Sequence, residues 1–334
     1  MINLFEKTLQ ENSLRIANAL KSLPISVGLV CDDVYIMEKS LEVFLRNRSD
    51  YLDQSDVVSV GNWYDTIGIN SIRDIESTIF IHPVKKEKYI IINGAEKLTV
   101  ESLNALLKIV EEPPEFVGII FMIRNWFSLL PTIRSRLLKV KLKVPDIIEI
   151  SNALKNSNFS NEEIWKVLFL SRIDLSIFEV QNLRDLLNRE QFESIEKFEN
   201  ENVEIKLKVL FYFKKLFFKV IKREFSEREI LDIYEKLSEV FSGKDGFALF
   251  SNFLRVFLVC LRDLSLIYEG IRPNLIYNRD LFGDMVSLEP DFEKLLNLVA
   301  EIDSYLKLSY GLVDTKLLLL RILIETYSIN KRGD

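Results

Sequence analysis

The chain has 334 residues, with a hydrophobic fraction of 48%, a charged fraction of 28% and a formal net charge of −6. This is the composition of a soluble globular protein and excludes the disordered class; the acidic balance argues against a protein that coats nucleic acid, leaving any DNA contact to a local patch or to partners. Cys31 and Cys260 are the only cysteines and His82 the only histidine, so a four-thiolate zinc site, a disulfide framework and a His-rich metal centre are all excluded, and no metal is expected.

The amino terminus, Met1 to Lys7, lacks a basic stretch followed by a long apolar run, and no uncharged apolar run approaches the ~18 residues a membrane span needs. A cytoplasmic location without membrane contact is the expectation. Ile25–Val30 (ISVGLV) reads as a buried strand, as do Lys88–Ile92 (KYIII) and Val117–Ile123 (VGIIFMI). His82, directly before Pro83, has no nucleophile motif beside it and reads as an ordinary loop residue. Between the last two strands Thr99 is a candidate N-cap for a helix whose Leu103, Leu106, Leu107 and Val110 fall at i, i+3, i+4 and i+7, and Pro113–Pro114 ends it. Leu137–Val144 (LLKVKLKV) alternates apolar residues with lysine, the pattern of an exposed edge strand. Short β-branched runs alternating with helices predict βαβ units and a parallel sheet over residues 1–145.

After Pro145 the sequence turns helical. Ser160 with Glu163, and Ser226 with Glu229, form capping boxes ahead of apolar stripes. Leu207–Ile221, Phe247–Ile267, Phe292–Leu308 and Thr315–Tyr327 carry long stripes, separated by Gly243, Gly246, Gly270, Pro273 and Gly311. The prediction is a small helical domain at 146–200 and a helical bundle at 201–334, with short loops packing neighbours antiparallel.

The chemistry concentrates in Lys88–Val140. Asn104-Ala-Leu-Leu-Lys108, Glu111-Glu-Pro-Pro114 and Leu129-Leu-Pro-Thr-Ile-Arg-Ser-Arg136 follow one another in the order strand, helix, strand, loop. Each element is weak alone; the ordered composite resembles the core of the bacterial clamp-loader AAA+ family, the gamma and delta-prime type. The close match covers roughly 50 residues, and Leu261-Arg-Asp-Leu264 with Asn278-Arg-Asp-Leu281 resembles that family's collar. The resemblance implies an α/β AAA+ domain (1–145), a helical lid (146–200) and a helical collar for oligomerisation (201–334).

Against that family the ATP site is degenerate. A phosphate loop G-x-x-x-x-G-K-[ST] lets backbone N–H groups close on phosphates while Lys adds counter-charge. Here Ile25–Val30 is followed by CDDVYIMEKS, which contains no glycine. Lys39-Ser40 echoes the motif's end, Glu38 stands where its second glycine belongs, and Asp32 and Asp33 bring negative charge. Asn93 and Gly94 replace the family's magnesium-binding Asp and catalytic Glu; Asn ligates Mg²⁺ poorly and Gly cannot act as a base. Glu96 lies two residues away, and Arg124-Asn125 falls at the sensor-1 position. The expectation is no ATP hydrolysis and no cofactor.

What is retained is Ser135-Arg136, matching the family's Ser-Arg-Cys with Leu137 for Cys. The resemblance implies an arginine finger, Arg136, reaching a neighbour's γ-phosphate, with Arg134 as rival, Ser135 beside it, and Pro131 and Thr132 as scaffold, Thr132 as the cap of a short helix. It implies gamma/tau ATPase and delta subunits as partners, with the sliding clamp and primed DNA reached through the complex. An AAA+-derived adaptor outside replication and an active ATPase with misaligned motifs are the alternatives. The role of residues 31–66 stays open.

Overall fold

The computed structural model describes residues 5–63, 65–180, 183–188, 203–270, 275–306 and 314–331. The chain divides into two compact units, Asn3–Pro145 and the residues from Asp146 onward.

The first unit is built on a five-stranded sheet in the order β2-β3-β4-β1-β5, parallel throughout. Its strands are β1 (Ile25–Val30), β2 (Val57–Val60), β3 (Lys88–Asn93), β4 (Val117–Ile123) and β5 (Leu138–Lys141). The helices are α1 (Glu6–Ala19), α2 (Val34–Asn47), α3 (Ile69–Ile79), α4 (Val100–Glu111) and the single turn α5 (Pro131–Arg134). The central strands are buried on both faces, as an all-parallel sheet requires, and β4 is buried along its whole length. Alternate residues serve opposite layers. Ile90, Ile92, Val117, Ile119, Phe121 and Ile123 pack with α3 and α4 through Ile72, Ile75, Ile79, Leu103 and Leu106. On the other face Phe44 of α2 sets its ring edge-on to Tyr89, 5.5 Å between centroids. Gly118 makes room for that ring, since a Cβ there would lie 2.7 Å from Tyr89 Cε1.

The strands read from the sequence are present, and β2 is added to them as a half-buried edge. The C-terminal strand is shorter than its alternating pattern. Beyond Lys141 the ladder gives way to Asn12 of α1, which accepts from Lys143 N at 2.9 Å and donates to Lys143 O at 3.0 Å. Thr99 caps α4, its hydroxyl accepting from Ser102 N at 3.1 Å. Thr132, in contrast, does not cap α5: Pro131 takes the first helical position and the residue before it, Leu130, contributes no side-chain cap. Pro fixes φ at the entry and needs no N–H there, so Thr132 falls inside the turn.

The second unit is helical: α6 (Ile147–Asn156), α7 (Asn161–Ile173), α8 (Leu183–Asn188), α9 (Val203–Ile221), α10 (Glu227–Val240), α11 (Gly243–Tyr268), α12 (Phe282–Val286), α13 (Phe292–Tyr305) and α14 (Thr315–Ile329). Both capping boxes form, at Ser160–Glu163 and Ser226–Glu229. Gly243 and Gly246 do not separate helices but lie in the first turns of α11, whereas Gly270, at φ 72°, follows its end. Pro273, Gly311 and the expected helix end at Leu308 lie outside the described residues. Packing joins helices distant in sequence, α9 with α11 and α14, and α10 with α14, besides the sequential pair α13 and α14. Phe213, Phe217, Phe241, Phe250, Phe253 and Phe257 interlock in the core by edge and tilted contacts.

The two Arg-Asp-Leu segments of this unit meet one buried polar cluster. Asp263, fully buried, accepts from Tyr277 N at 2.9 Å, Asn278 N at 2.7 Å and Asn278 Nδ2 at 2.8 Å. Burial pushes its carboxyl above the ordinary range, against those donors and Arg262. Asp280 pairs with buried Lys214 at 2.7 Å.

Candidate functional site

In an open parallel sheet, ligands bind beyond the carboxyl ends of the strands, where the chain direction switches. Here that end is formed by the segments after β1 (Cys31–Asp33), β3 (Asn93–Lys97) and β4 (Arg124–Asn125). Only Cys31, Asp32 and Asp33 connect β1 to α2, too few to wrap a phosphate. Asp33 is the N-cap of α2, its carboxylate accepting from Ile36 N at 2.8 Å. A phosphate would need the same amide donors and the same end of the helix dipole. Burial pushes the Cys31 thiol up to about 12, which leaves it a neutral packing group.

Lys39 and Ser40 do not open this helix; they lie in its second turn. Lys39 pairs with Glu42 at 3.0 Å. Ser40 is fully buried, donates to Ile36 O at 2.6 Å and accepts from Asn12 Nδ2 at 3.1 Å.

Segments that are distant in sequence meet at this end of the sheet. The segment after β2 is drawn across by backbone bonds from Ile67 N to Lys97 O (2.8 Å) and from Thr99 N to Ile67 O (3.1 Å). It carries Trp63, which is buried. The indole donates through Nε1 to Glu38 Oε1 of α2 at 2.7 Å, and the Arg124 guanidinium lies 5.8 Å from its ring centroid. Arg124 also pairs with Glu96 at 2.9 Å. Lys97, beside this pair, is pushed down to about 8, first by burial and then by Arg124. Asn93 ties β3 to β2 through Nδ2 to Ser59 Oγ at 2.8 Å. Gly94 sits at φ 64°, and a Cβ there would approach Asn62 O to 2.6 Å, so this position holds a glycine because the backbone turns left-handed against the Trp63 segment. Asn125 caps the short turn after β4, its Oδ1 accepting from Phe127 N at 3.0 Å. Sequence reasoning singled out Glu38, Glu96 and Arg124 one at a time; their union through Trp63 spans distant segments and had no local signal.

Ser135 and Arg136 follow α5 and are exposed. The Arg136 guanidinium donates through Nε to Glu111 Oε1 at 2.6 Å and through Nη1 to Thr132 O at 2.6 Å, with Ser135 Oγ at 3.4 Å, and Nη2 is also ion-paired with Glu111. Arg134 is placed differently: half-buried, its guanidinium packs over the Phe127 ring at 5.2 Å and its Nε has no hydrogen-bond partner among the described residues. His82 is an exposed residue whose ring stands 4.8 Å from that of Phe116. Among the described residues no group of three His, Cys, Asp or Glu side chains is placed to hold a metal, and no helix is long and apolar enough to cross a membrane.

A parallel sheet in this strand order, with a helix leaving β1, is the fold of an AAA+-type domain. The sequence comparisons add what the chain is similar to. Residues 28–146 match the family model described as DNA polymerase III, delta subunit, and the domain resembles clamp-loader delta-prime subunits. A DNA polymerase III subunit delta′ of Buchnera aphidicola subsp. Schizaphis graminum is 34% identical over 115 residues, 34% of this chain and 34% of that protein. The delta′ of Buchnera aphidicola subsp. Baizongia pistaciae is 32% identical over 173 residues, 46% of this chain and 51% of that protein. The matched regions thus span between a third and about half the length of these relatives. A DNA polymerase III gamma subunit-related protein of Thermotoga maritima shares the fold, with a TM-score of 0.53 and 23% identity over 96% of this chain and 98% of that one.

Proposed function

We propose that this chain is a delta-prime-like, non-catalytic clamp-loader subunit. It binds no ATP of its own, assembles with gamma/tau-type ATPase and delta subunits, and completes a neighbour's ATP site with Arg136 while the ring loads a sliding clamp on primed DNA. In this reading residues 146–200 act as lid and 201–334 as the collar that joins the ring. One observation carries it: the nucleotide end of the sheet is closed by Asp33 and Trp63, while Arg136 stands exposed. A guanidinium is permanently charged and matches phosphate in a bidentate fork. Arg136 suits the task better than Arg134, whose guanidinium is packed against Phe127.

The test is the DNA- and clamp-stimulated ATPase rate of the reconstituted complex. Arginine fingers contribute roughly 10³–10⁵ in other nucleotide hydrolases; in a ring where other sites still turn over, Arg136→Ala is expected to lower the rate by about tenfold or more, with assembly intact by size exclusion. An unchanged rate in an intact complex rejects Arg136 as the finger. Failure of the wild-type chain to join the complex rejects the clamp-loader reading and favours an adaptor outside replication.

A further inference from the structure

We infer that Glu111 is the positioning residue for Arg136, so that the Glu-Glu-Pro-Pro end of α4 serves to aim the guanidinium at a partner's phosphate. The inference rests on the reading of Arg136 as a finger acting in trans.

The geometry supports this in three ways. First, Glu111 is the last residue of α4, with Pro113 and Pro114 close behind. A carboxylate in the last turn opposes the helix dipole, where a cation would be favoured. No helical advantage accounts for an acidic side chain here, whereas its pairing with Arg136 Nε and Nη2 does. Second, the guanidinium is gripped from two directions. Glu111 takes Nε–H and one Nη2–H, and Thr132 O takes one Nη1–H at 2.6 Å. Arginine carries five N–H donors; the longest of the contacts they make here, Nη1 to Ser135 Oγ at 3.4 Å, is the one a phosphate would displace to form a bidentate contact with Nη1 and the second N–H of Nη2. Third, the two anchors come from separate elements, α4 and α5, whose apolar residues Ile109, Val110 and Ile133 share one buried core. A long side chain with many rotamers is thereby fixed before it meets its ligand, which removes an ordering cost from the step it serves.

An alternative role for the same contact would be a lock that withholds the arginine. The two roles differ in sign. Removing the carboxylate charge while keeping its shape, Glu111→Gln, slows turnover if Glu111 aims the guanidinium and speeds it if Glu111 withholds it.

The experiment is a double-mutant cycle in the reconstituted complex with its ATPase and delta subunits, primed DNA and clamp, with assembly checked by size exclusion. Wild type, Glu111→Gln, Arg136→Ala and the double variant are compared by kcat and by KM for ATP. The expected result is that Glu111→Gln lowers kcat by about fivefold or more and leaves KM unchanged. On the Arg136→Ala background it has no further effect, because a residue that acts only through Arg136 has nothing left to aim. Glu111→Asp, which retains the charge on a shorter stem, recovers part of the loss. A wild-type or raised kcat in Glu111→Gln overturns the inference, as does a loss that adds in full to that of Arg136→Ala, the mark of a merely structural role. If Arg136→Ala itself leaves the rate unchanged, the finger reading fails and the positioning role falls with it; if Arg136→Ala is slow and Glu111→Gln is not, only the positioning role fails.

Discussion

Trp63 joins Glu38 and Arg124, which come from distant segments of the chain. Its indole N–H is used by Glu38 of α2 and its ring faces Arg124. A buried indole of this kind, truncated to alanine, costs about 3–5 kcal/mol, because the transfer free energy is lost and a cavity remains. Trp63→Ala is therefore expected to lower the urea midpoint markedly. It is not expected to create a nucleotide site, since the Asp33 carboxylate still occupies the amide donors at the start of α2. Titration of the purified variant with a fluorescent ATP analogue checks the second half: saturable micromolar binding would mean that the indole alone had kept nucleotide out. At this scale part of the site was legible. The glycine-free stretch after β1 and the Asn93-Gly94 pair at the end of β3 are read directly as identities at fixed spacing. The union through Trp63 was not legible, because a tryptophan in a loop between β2 and α3 carries no periodic signal and meets its partners only through the fold. Glu111 was legible as a letter of a motif and not as the partner of Arg136.

Among elements, the strands that could be read were those buried on both faces. Ile25–Val30, interrupted only by the small Ser26 and Gly28, and Val117–Ile123 are predominantly apolar runs, and the structure starts and stops them at the same residues. β2 (Val57–Val60) was not read, since an edge strand of Val-Val-Ser-Val with half-buried side chains shows neither a full apolar run nor clean alternation. α1 was missed for a related reason: its buried positions include Thr8, Asn12 and Ser13 beside Ile16, so no apolar stripe marks the helix. Asn12 explains that choice of residue. Fully buried, it closes the end of β5 through both Lys143 backbone groups and reaches Ser40 of α2. Asn12→Ala leaves these groups unpaired, at about 1–3 kcal/mol for each buried one that water cannot reach. The expected outcome is a lower thermal midpoint, with faster amide exchange localised to residues 141–144 and the adjoining end of β1. Exchange that rises uniformly over the sheet would show that Asn12 supports the whole domain rather than its edge.

At the scale of the molecule, each of the two units has a core of its own. The sheet packs Ile90, Phe121 and their neighbours between helices of its own unit, and the phenylalanines of α9 and α11, with Phe241 just after α10, interlock in theirs. Each unit also has its own polar cluster, the part-buried Trp63–Glu38–Arg124–Glu96 in the first and the buried Asp263 with its Tyr277 and Asn278 donors in the second. A chain of this kind is not expected to unfold as one two-state unit. The two clusters supply independent handles on the two transitions. Asp263→Ala strips a buried acceptor from four donors and is expected to cost about 3 kcal/mol in the helical unit. Far-UV circular dichroism in urea, dominated by the helices, should then shift to lower denaturant. Trp126, in the first unit, supplies the complementary probe: with Trp165 of α7 replaced by phenylalanine, its fluorescence follows the sheet domain. In that background Trp63→Ala moves the fluorescence transition and leaves the helical unit's circular-dichroism transition in place, while Asp263→Ala does the reverse. If either substitution moves both transitions together by the same amount, the chain unfolds as a single cooperative body and the separation of its two cores has no thermodynamic consequence.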